Sequence, residues 1–439
     1  MQFHTKHSVC SWSRIGTKTH EVAIPRFVED VRRWNRDSEA GRLPVGNRRS
    51  YSDVCLCDGG RLVDMTNLDR FRSFDPKTGI LVAEAGVTID AVLKAFVPLG
   101  FFVPVTPGTR LVTLGGAVAN DVHGKNHHRS GTFGCHVKSL VLERSDEGSL
   151  RIGPDERPEL FSATVGGLGL TGMISEVKFQ LQPIRSSRLQ AETVPCDNLD
   201  RLCEEIEAGD REFEHVVAWI DCTAVGARLG RGIVTRANWA DDGILETHGN
   251  NARSMPTDRF GALLNPVTLK AFNALYHAKG RLNAGERLSH YDPFLYPLDS
   301  IGHWNRLYGR DGFYQYQCVV PETAGREPVR ELLREISASG EGSFLAVLKR
   351  FGAHRSPGML SFPMPGLTLA LDFRNRGRRT LDILSRLDRI VDACGGRLYA
   401  AKDLRIPPDT FKRSYPDLDR FRTHLDPRCH SDFWTKLNS

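Results

Sequence analysis

PVTPGTRLVTLGGAVANDVHGKNHHRSGTFG, residues 104–134, carries six glycines and three histidines among apolar residues, with Asp121 as its single acid. Glycine lacks the Cβ that holds a backbone away from its neighbours, so this density marks close approach to something flat or phosphorylated. Residues 111–122 predict a short helix entered through Thr113 and the pair Gly115 and Gly116. A helix N-terminus preceded by small residues is an anion seat, with free N–H groups and a favourable dipole. Composition alone also allows a glycine-rich surface loop.

Upstream, residues 24–36 predict a helix, with Phe27, Val28, Val31 and Trp34 spaced along one buried face. A strand at 42–45 leads into GNRRSYSD, residues 46–53. Strands follow at 61–64 and 80–83, then a helix over 88–97 with Thr88 as N-cap. Downstream, 139–143 reads as a strand, and ELFSATVGGLGLTGMISEVKFQLQPI (159–184) as helix, glycine turn and long strand. Gly167, Gly169 and Gly172 there spell GxGxxG. A dinucleotide fingerprint needs a strand before and a helix after; this order is inverted, which excludes a Rossmann reading.

Past residue 184 the texture changes. Strand-like alternation at 215–222, 228–236, 312–320, 343–349 and 367–373 is interleaved with helices at 327–337 and 379–394. That pattern predicts a second, α+β domain built on an antiparallel sheet. Residues 241–297 are poorly periodic and read as a long excursion or mobile loop. GGRLYAAKDLR, residues 395–405, reads as a glycine turn, a short strand and a lysine-bearing loop, followed by a short helical tail.

A chain of 439 residues suits two domains or one large composite. Its 40% hydrophobic and 26% charged content is that of a soluble globular protein. No apolar run approaches the roughly 20 residues of a bilayer span. MQFHTKHSVCSWSRIG at the start lacks a signal-like apolar core, and ten cysteines fall without a CxxC pair. Both point to a reduced, cytoplasmic setting. A net charge of +6 is mild, and no interleaving of aromatic and basic residues suggests nucleic acid.

GNRRSYSD, AEAGVTIDAVLKAF, the 104–134 stretch and ATVGGLGLTGMI together resemble the FAD-binding domain of vanillyl-alcohol-oxidase-type (PCMH-type) flavoproteins. DVHGKNHH, YPLDSIGHWNRLYG, GFYQYQCVVP, SFPMPG and GGRLYAAKD extend the resemblance across nearly the whole chain, to the branch that oxidises a polyprenyl-phosphoryl ribose. The resemblance implies an α+β, two-domain fold: residues 1–184 completed by 397–439 bind FAD, and 185–396 form the substrate domain. It places Gly46, Arg49, Ser50, Tyr51, Asp53, Thr106, Pro107, Gly108, Thr109, Gly115 and Gly116 around the pyrophosphate. Asn120, His123, Gly124, Asn126 and His127 would run along the isoalloxazine, with Gly172 and Ile174 on the returning strand. Relatives with covalent flavin attach it through a His, sometimes with a Cys; Tyr51 at that position implies FAD held without a covalent bond.

The implied reaction takes the ribose C2 hydroxyl to a ketone with hydride passing to flavin N5, the first half of an epimerisation to arabinose. A separate ketoreductase would complete it. Lys402 would stabilise the reduced ring and double as a cofactor contact, and His123 would handle the hydroxyl proton. Trp219, Tyr296, Gln315, Gln317, Lys349 and Thr368 match substrate-side positions, with Lys349 toward the substrate's phosphate. A soluble sugar, aldonolactone or nucleoside alcohol is the alternative substrate. A lipid would need an apolar mouth, for which residues 256–276 offer Phe260, Leu263, Leu264 and Leu269, with peripheral membrane contact.

Plainer readings stand beside these. His123, His127 and His128 lack a carboxylate at useful spacing, which leaves no metal site to expect. Lys402 could be a surface lysine, and Trp219 ordinary core. Gln315 and Gln317 share one face of a strand, solubilising if that face is exposed, with Phe313 and Tyr316 pointing elsewhere into the core. Relatives commonly carry GLGRSYGD, so Arg48 and Ser52 replace glycines: positive φ there would be strained, while Arg48 could instead reach phosphate. Thr368 and Ala370 stand where relatives carry Asn and Cys.

Overall fold

The structure is a computed structural model that describes residues 3–37, 41–249, 253–258, 261 and 264–438. Three larger sheets organise it. The first orders His4–Val9, Lys18–Ala23, Arg61–Asp64 and Leu43–Val45, with Arg61–Asp64 parallel to both its neighbours. The second is antiparallel and orders Phe71–Asp75, Ile80–Glu84, Met173–Gln180, Val137–Arg144 and Gly148–Ile152. The third, eight-stranded and antiparallel, orders Gly285–His290, Arg188–Cys196, Gly232–Trp239, His215–Ile220, Val347–Phe351, Gly366–Arg374, Phe313–Pro321 and Arg397–Leu398.

The third sheet shows the period of two. Val216, Ala218, Leu348, Leu369, Leu371 and Tyr316 pack with the helices Leu199–Glu212, Glu327–Ser339 and Arg378–Ala393 into the largest core. Their alternates Val217, Trp219, Lys349, Gln315, Gln317, Thr368 and Asp372 line a cavity on the other face. Phe313 is fully buried as expected, though it shares parity with Gln315: it packs in a separate aromatic cluster with Tyr51, Trp304 and Tyr308, its ring 5.6 Å from that of Tyr51.

Other elements shift for local reasons. The first helix is Val28–Asp37, because the Asp30 carboxylate accepts the N–H groups of Arg26 and Phe27, each at 3.1 Å, and so fixes the start. Phe27 is therefore outside the buried face and exposed. The excursion expected over 241–297 contains a helix of 17 residues, Pro266–Leu282, capped by Asn265, and the edge strand Gly285–His290. Phe260 and Leu263, named for an apolar mouth, lie outside the described residues. The inverted GxGxxG is as read: helix Pro158–Thr164 precedes it and strand Met173–Gln180 follows.

The chain end closes the site. Arg397–Leu398 joins the third sheet beside Phe313–Pro321. The turn beyond it reaches under residues 51 and 52, whose N–H groups donate to the Ala401 carbonyl at 2.9 and 3.3 Å.

Candidate active site

A cavity of about 700 Å³ runs between the glycine loops of the first two sheets and the open face of the third. All the expected cofactor and substrate residues line it except Asp53, Asn126, His127 and Tyr296. Each exception has a packing reason. Asp53 turns away to an ion pair with Lys436. Asn126 Nδ2 donates to Pro104 O at 2.8 Å and holds the loop closed. His127 is buried against Phe351, ring centroids 4.6 Å apart. Tyr296 is buried in the second core and shares a 2.7 Å hydrogen bond with Thr106, so it braces the wall rather than facing substrate.

The glycine stretch builds a cradle, though not by the expected route. Its helix spans Leu114–Ala119 with Thr113 as N-cap. The N–H groups of Leu114 and Gly115 donate to Val87 O and Ala85 O, both at 2.8 Å, and that of Gly116 goes to Thr113 Oγ1 at 3.2 Å. No anion seat remains at this N-terminus; the carbonyls of the turn after strand Ile80–Glu84 and the cap use it. The glycines serve close approach instead: a Cβ on Gly46 would stand 2.2 Å from Thr113 Oγ1, and one on Gly115 2.9 Å from Ala85 Cβ. That leaves the turns at residues 47–50 and 107–109 on the cavity wall.

Arg48 and Arg49 bracket one turn. Arg48 is left-handed at φ 46°, the strained conformation expected if a glycine were replaced there, whereas Ser52 is extended at φ −86° and carries no strain. The Arg48 guanidinium bonds Asp64 at 3.2 Å, so its charge goes to a carboxylate rather than standing ready for phosphate. Arg49 is different. Its guanidinium lies 4.2 Å above the Trp12 ring, with Nε buried and unpartnered. A desolvated guanidinium with a spare donor at the wall fits a phosphate-bearing ligand.

Beyond that turn, Lys402 Nζ sits 3.8 Å above the Tyr51 ring centroid. Burial draws Lys402 down to about 7; Asp372 opposes that shift and Lys349 adds to it. Burial likewise brings Lys349 to about 8. His123 presents Nε2 to the Gln317 amide at 3.1 Å, and Gln317 also donates to Thr368 Oγ1 at 3.3 Å. Burial, with Lys349, His127 and Lys402 nearby, holds His123 well below the usual imidazole range, hence neutral. Trp219 lines the wall and anchors its indole N–H on Phe344 O at 2.9 Å.

Sequence reading missed Asp372. It is buried, accepts from Gln315 Nε2 at 2.9 Å and Tyr308 OH at 3.1 Å, and faces the cavity. Burial pushes its carboxyl up to about 6, against Gln315, Lys402 and Tyr308. The available signal was parity with Thr368 and Ala370, an acid between Leu371 and Phe373 on a strand already read. Also missed were Lys125, whose ammonium donates to Phe294 O (2.7 Å) and Leu295 O (2.8 Å), and Tyr276 and Arg287 on the wall.

The lining fits FAD: glycine-enforced proximity, a buried arginine with an unpartnered Nε, and a buried lysine share one cavity wall. The FAD binding domain family matches residues 21–152. The chain is 36% identical over 419 residues to the decaprenylphosphoryl-β-D-ribose oxidase of Mycolicibacterium smegmatis, covering 91% of this chain and 89% of that protein. It is 26% identical over 267 residues to a putative D-arabinono-1,4-lactone oxidase of Neurospora crassa (59% and 46% covered). A shorter match, 25% over 182 residues, is to the mitochondrial L-galactono-1,4-lactone dehydrogenase of Arabidopsis thaliana (40% and 29% covered). With a neutral imidazole, a buried lysine and an FAD cradle converging on one cavity, the chain belongs to the decaprenylphosphoryl-β-D-ribose oxidase family of PCMH-type flavoproteins, FAD-dependent oxidoreductases that act on a CH–OH group.

Proposed function

We propose that this enzyme oxidises the C2 hydroxyl of a polyprenyl-phosphoryl-β-D-ribose to a 2-keto sugar, leaving epimerisation to arabinose for a separate ketoreductase to complete. The observation that carries the reading is the open face of the third sheet. Gln315, Gln317, Thr368 and Lys349 line the cavity there together with Lys402 and with His123, whose Nε2 meets the Gln317 amide at 3.1 Å, a polar patch suited to a sugar. We assign residues 1–184 with 397–439 to the FAD-binding half and 185–396 to the substrate half. FAD, when bound, accepts the two electrons and the hydrogen leaving the carbon.

The chain's residues do the rest. Gln315 and Gln317 orient the hydroxyls. His123 is neutral, and its Nε2 lone pair accepts from the Gln317 amide at 3.1 Å; a sugar hydroxyl that takes the place of that amide N–H gives its proton to the imidazole. Lys402 supplies positive charge where electrons arrive, and its nearness to neutrality lets it release a proton cheaply. Lys349 meets the phosphate. We further propose that FAD is not covalently attached: Tyr51 fills the position of attachment, and burial pushes the nearby Cys55 thiol up to about 12, far from the thiolate.

The purified protein is tested by its yellow spectrum and by anaerobic titration. Bleaching by farnesyl- or decaprenyl-phosphoryl ribose, but not by arabinono- or galactonolactone, is expected. Bleaching by the lactones alone would transfer the enzyme to the soluble-sugar class. Acid precipitation should leave the yellow colour in the supernatant; colour in the pellet would mean a covalent bond.

A further inference from the structure

The helix Pro266–Leu282 is inside out. Toward the protein it turns Leu269, Asn273, His277 and Gly280, all buried. Asn273 donates to Asp221 Oδ1 at 2.9 Å, and His277 contacts Cys196 O at 3.3 Å, so polar bonds seat it on the sheet. Toward solvent it turns Val267, Ala271, Leu275, Ala278 and Leu282, spaced by three and four residues along one stripe. Val267 is 77% exposed, Leu275 72% and Leu282 88%. An ordinary surface helix has the reverse arrangement, and an apolar stripe of this kind marks an interaction site.

The flanks say what covers it. At about 100° per residue, Lys270 and Arg281 fall on one side of the stripe and Lys279 on the other. Arg281 shares its charge with Asp197 at 3.4 Å. A basic border around apolar side chains is the signature of a helix lying in the plane of an anionic membrane surface. A second copy docking by two-fold symmetry would set these cations against each other. The stripe also leads inward. Phe272 stacks on Tyr276 (5.9 Å), Tyr276 meets Trp219 (4.7 Å), and both Tyr276 and Trp219 line the cavity. An aromatic ramp thus joins the outer face to the site.

We propose that this outward face rests on a bilayer surface containing anionic phospholipid, so that a polyprenyl chain stays in the lipid while its sugar enters the cavity past Tyr276. The proposal rests on the lipid-substrate reading above. Its test is flotation of the FAD-loaded enzyme with vesicles of equal parts phosphatidylcholine and phosphatidylglycerol, beside pure phosphatidylcholine. The enzyme should float with the mixed vesicles and much less with the neutral ones. The double variant Leu275→Asp/Leu282→Asp should lose about tenfold or more of the bound fraction. It should still oxidise farnesyl-phosphoryl ribose, added without vesicles, at the wild-type rate, which also reports that it is folded. A double variant that floats like the wild type would overturn the proposal. So would a wild type that stays in solution while it turns over the short-chain substrate, or one that sediments as a dimer which the double substitution dissociates. Flotation of the wild type with no oxidation of either chain length would instead remove the substrate reading and leave the docking surface standing.

Discussion

Asp372 and Lys402 face the same cavity, and each favours the other's charged form. Lys402 is held near 7 against an ordinary 10.5, and Asp372 near 6 against 3.8. If the reaction needs the ammonium and the carboxylate together, activity falls as Asp372 protonates below about 6 and as Lys402 deprotonates above about 7. A narrow bell in kcat/KM between those limbs is expected. Asp372→Asn removes the carboxylate that raises Lys402, so the alkaline limb should move to lower pH and the acid limb disappear; an unmoved alkaline limb would refute the coupling. Lys402→Met should cost roughly 100-fold or more in kcat with FAD still bound. Arg48 gives a test of another kind. Its left-handed backbone favours glycine, and its ion pair with the buried Asp64 is lost equally in either substitution below. Arg48→Gly should therefore be more stable than Arg48→Ala by about 1 kcal/mol in urea unfolding, the opposite of the order in ordinary helix or strand.

Between residues and molecule lies the loop pair that shapes the cradle. Thr113 both caps its helix and fills the space beside Gly46. Gly46→Ala must push that hydroxyl aside, so FAD should dissociate more readily and the spectrum should show loss of bound flavin. Thr113→Ser, which keeps the cap, should retain it, while Thr113→Ala should cost about 1 kcal/mol of stability. This level was the most legible in the sequence. Glycine density, the Thr88 and Thr113 caps and the strand alternation through Gln315 and Gln317 are local signals, and they named most of the wall. What escaped was set by tertiary contact. The Pro266–Leu282 helix hid because its apolar side faces out, which blurs the pattern of a buried face. The anion seat failed because Ala85 and Val87 carbonyls, far off in sequence, consume its N–H groups. Asp372 was passed over although its parity with Thr368 and Ala370 puts it on the same strand face, because alternation marks the face and not how deeply an acid on it is buried.

At the scale of the molecule, the width of the cavity depends on what ties residues 291–299 to the glycine-rich stretch. Arg110 is the central tie. Its Nε reaches Asp90 Oδ1 at 2.7 Å, its guanidinium also pairs with Asp292, and its backbone N–H donates to Asp299 Oδ2 at 2.8 Å. Lys125 adds its bonds to the Phe294 and Leu295 carbonyls, and Thr106 its bond to Tyr296. Residues 291–299 are thereby clamped against 104–125. Burial would raise the Asp90 carboxyl, yet hydrogen bonds from His248, Lys94 and Arg110 outweigh it and hold it well below the usual range. A carboxyl depressed in the folded state contributes stability above its unfolded value of 3.8 and loses it as pH falls further. Arg110→Met leaves the acids facing one another in a partly buried place, which should cost about 2–4 kcal/mol at neutral pH. Because the variant's acids then prefer their protonated form, its deficit relative to the wild type should shrink as pH falls from 7 toward 4. Loosening the clamp should also raise KM for the polyprenyl-phosphoryl sugar more than it lowers kcat, since the gap loses its set width while His123 and Lys402 keep their places. Arg110→Lys should restore little, because a single ammonium cannot span Asp90 and Asp292 together. Equal stability and KM in all three proteins would show that these ties do not set the cavity.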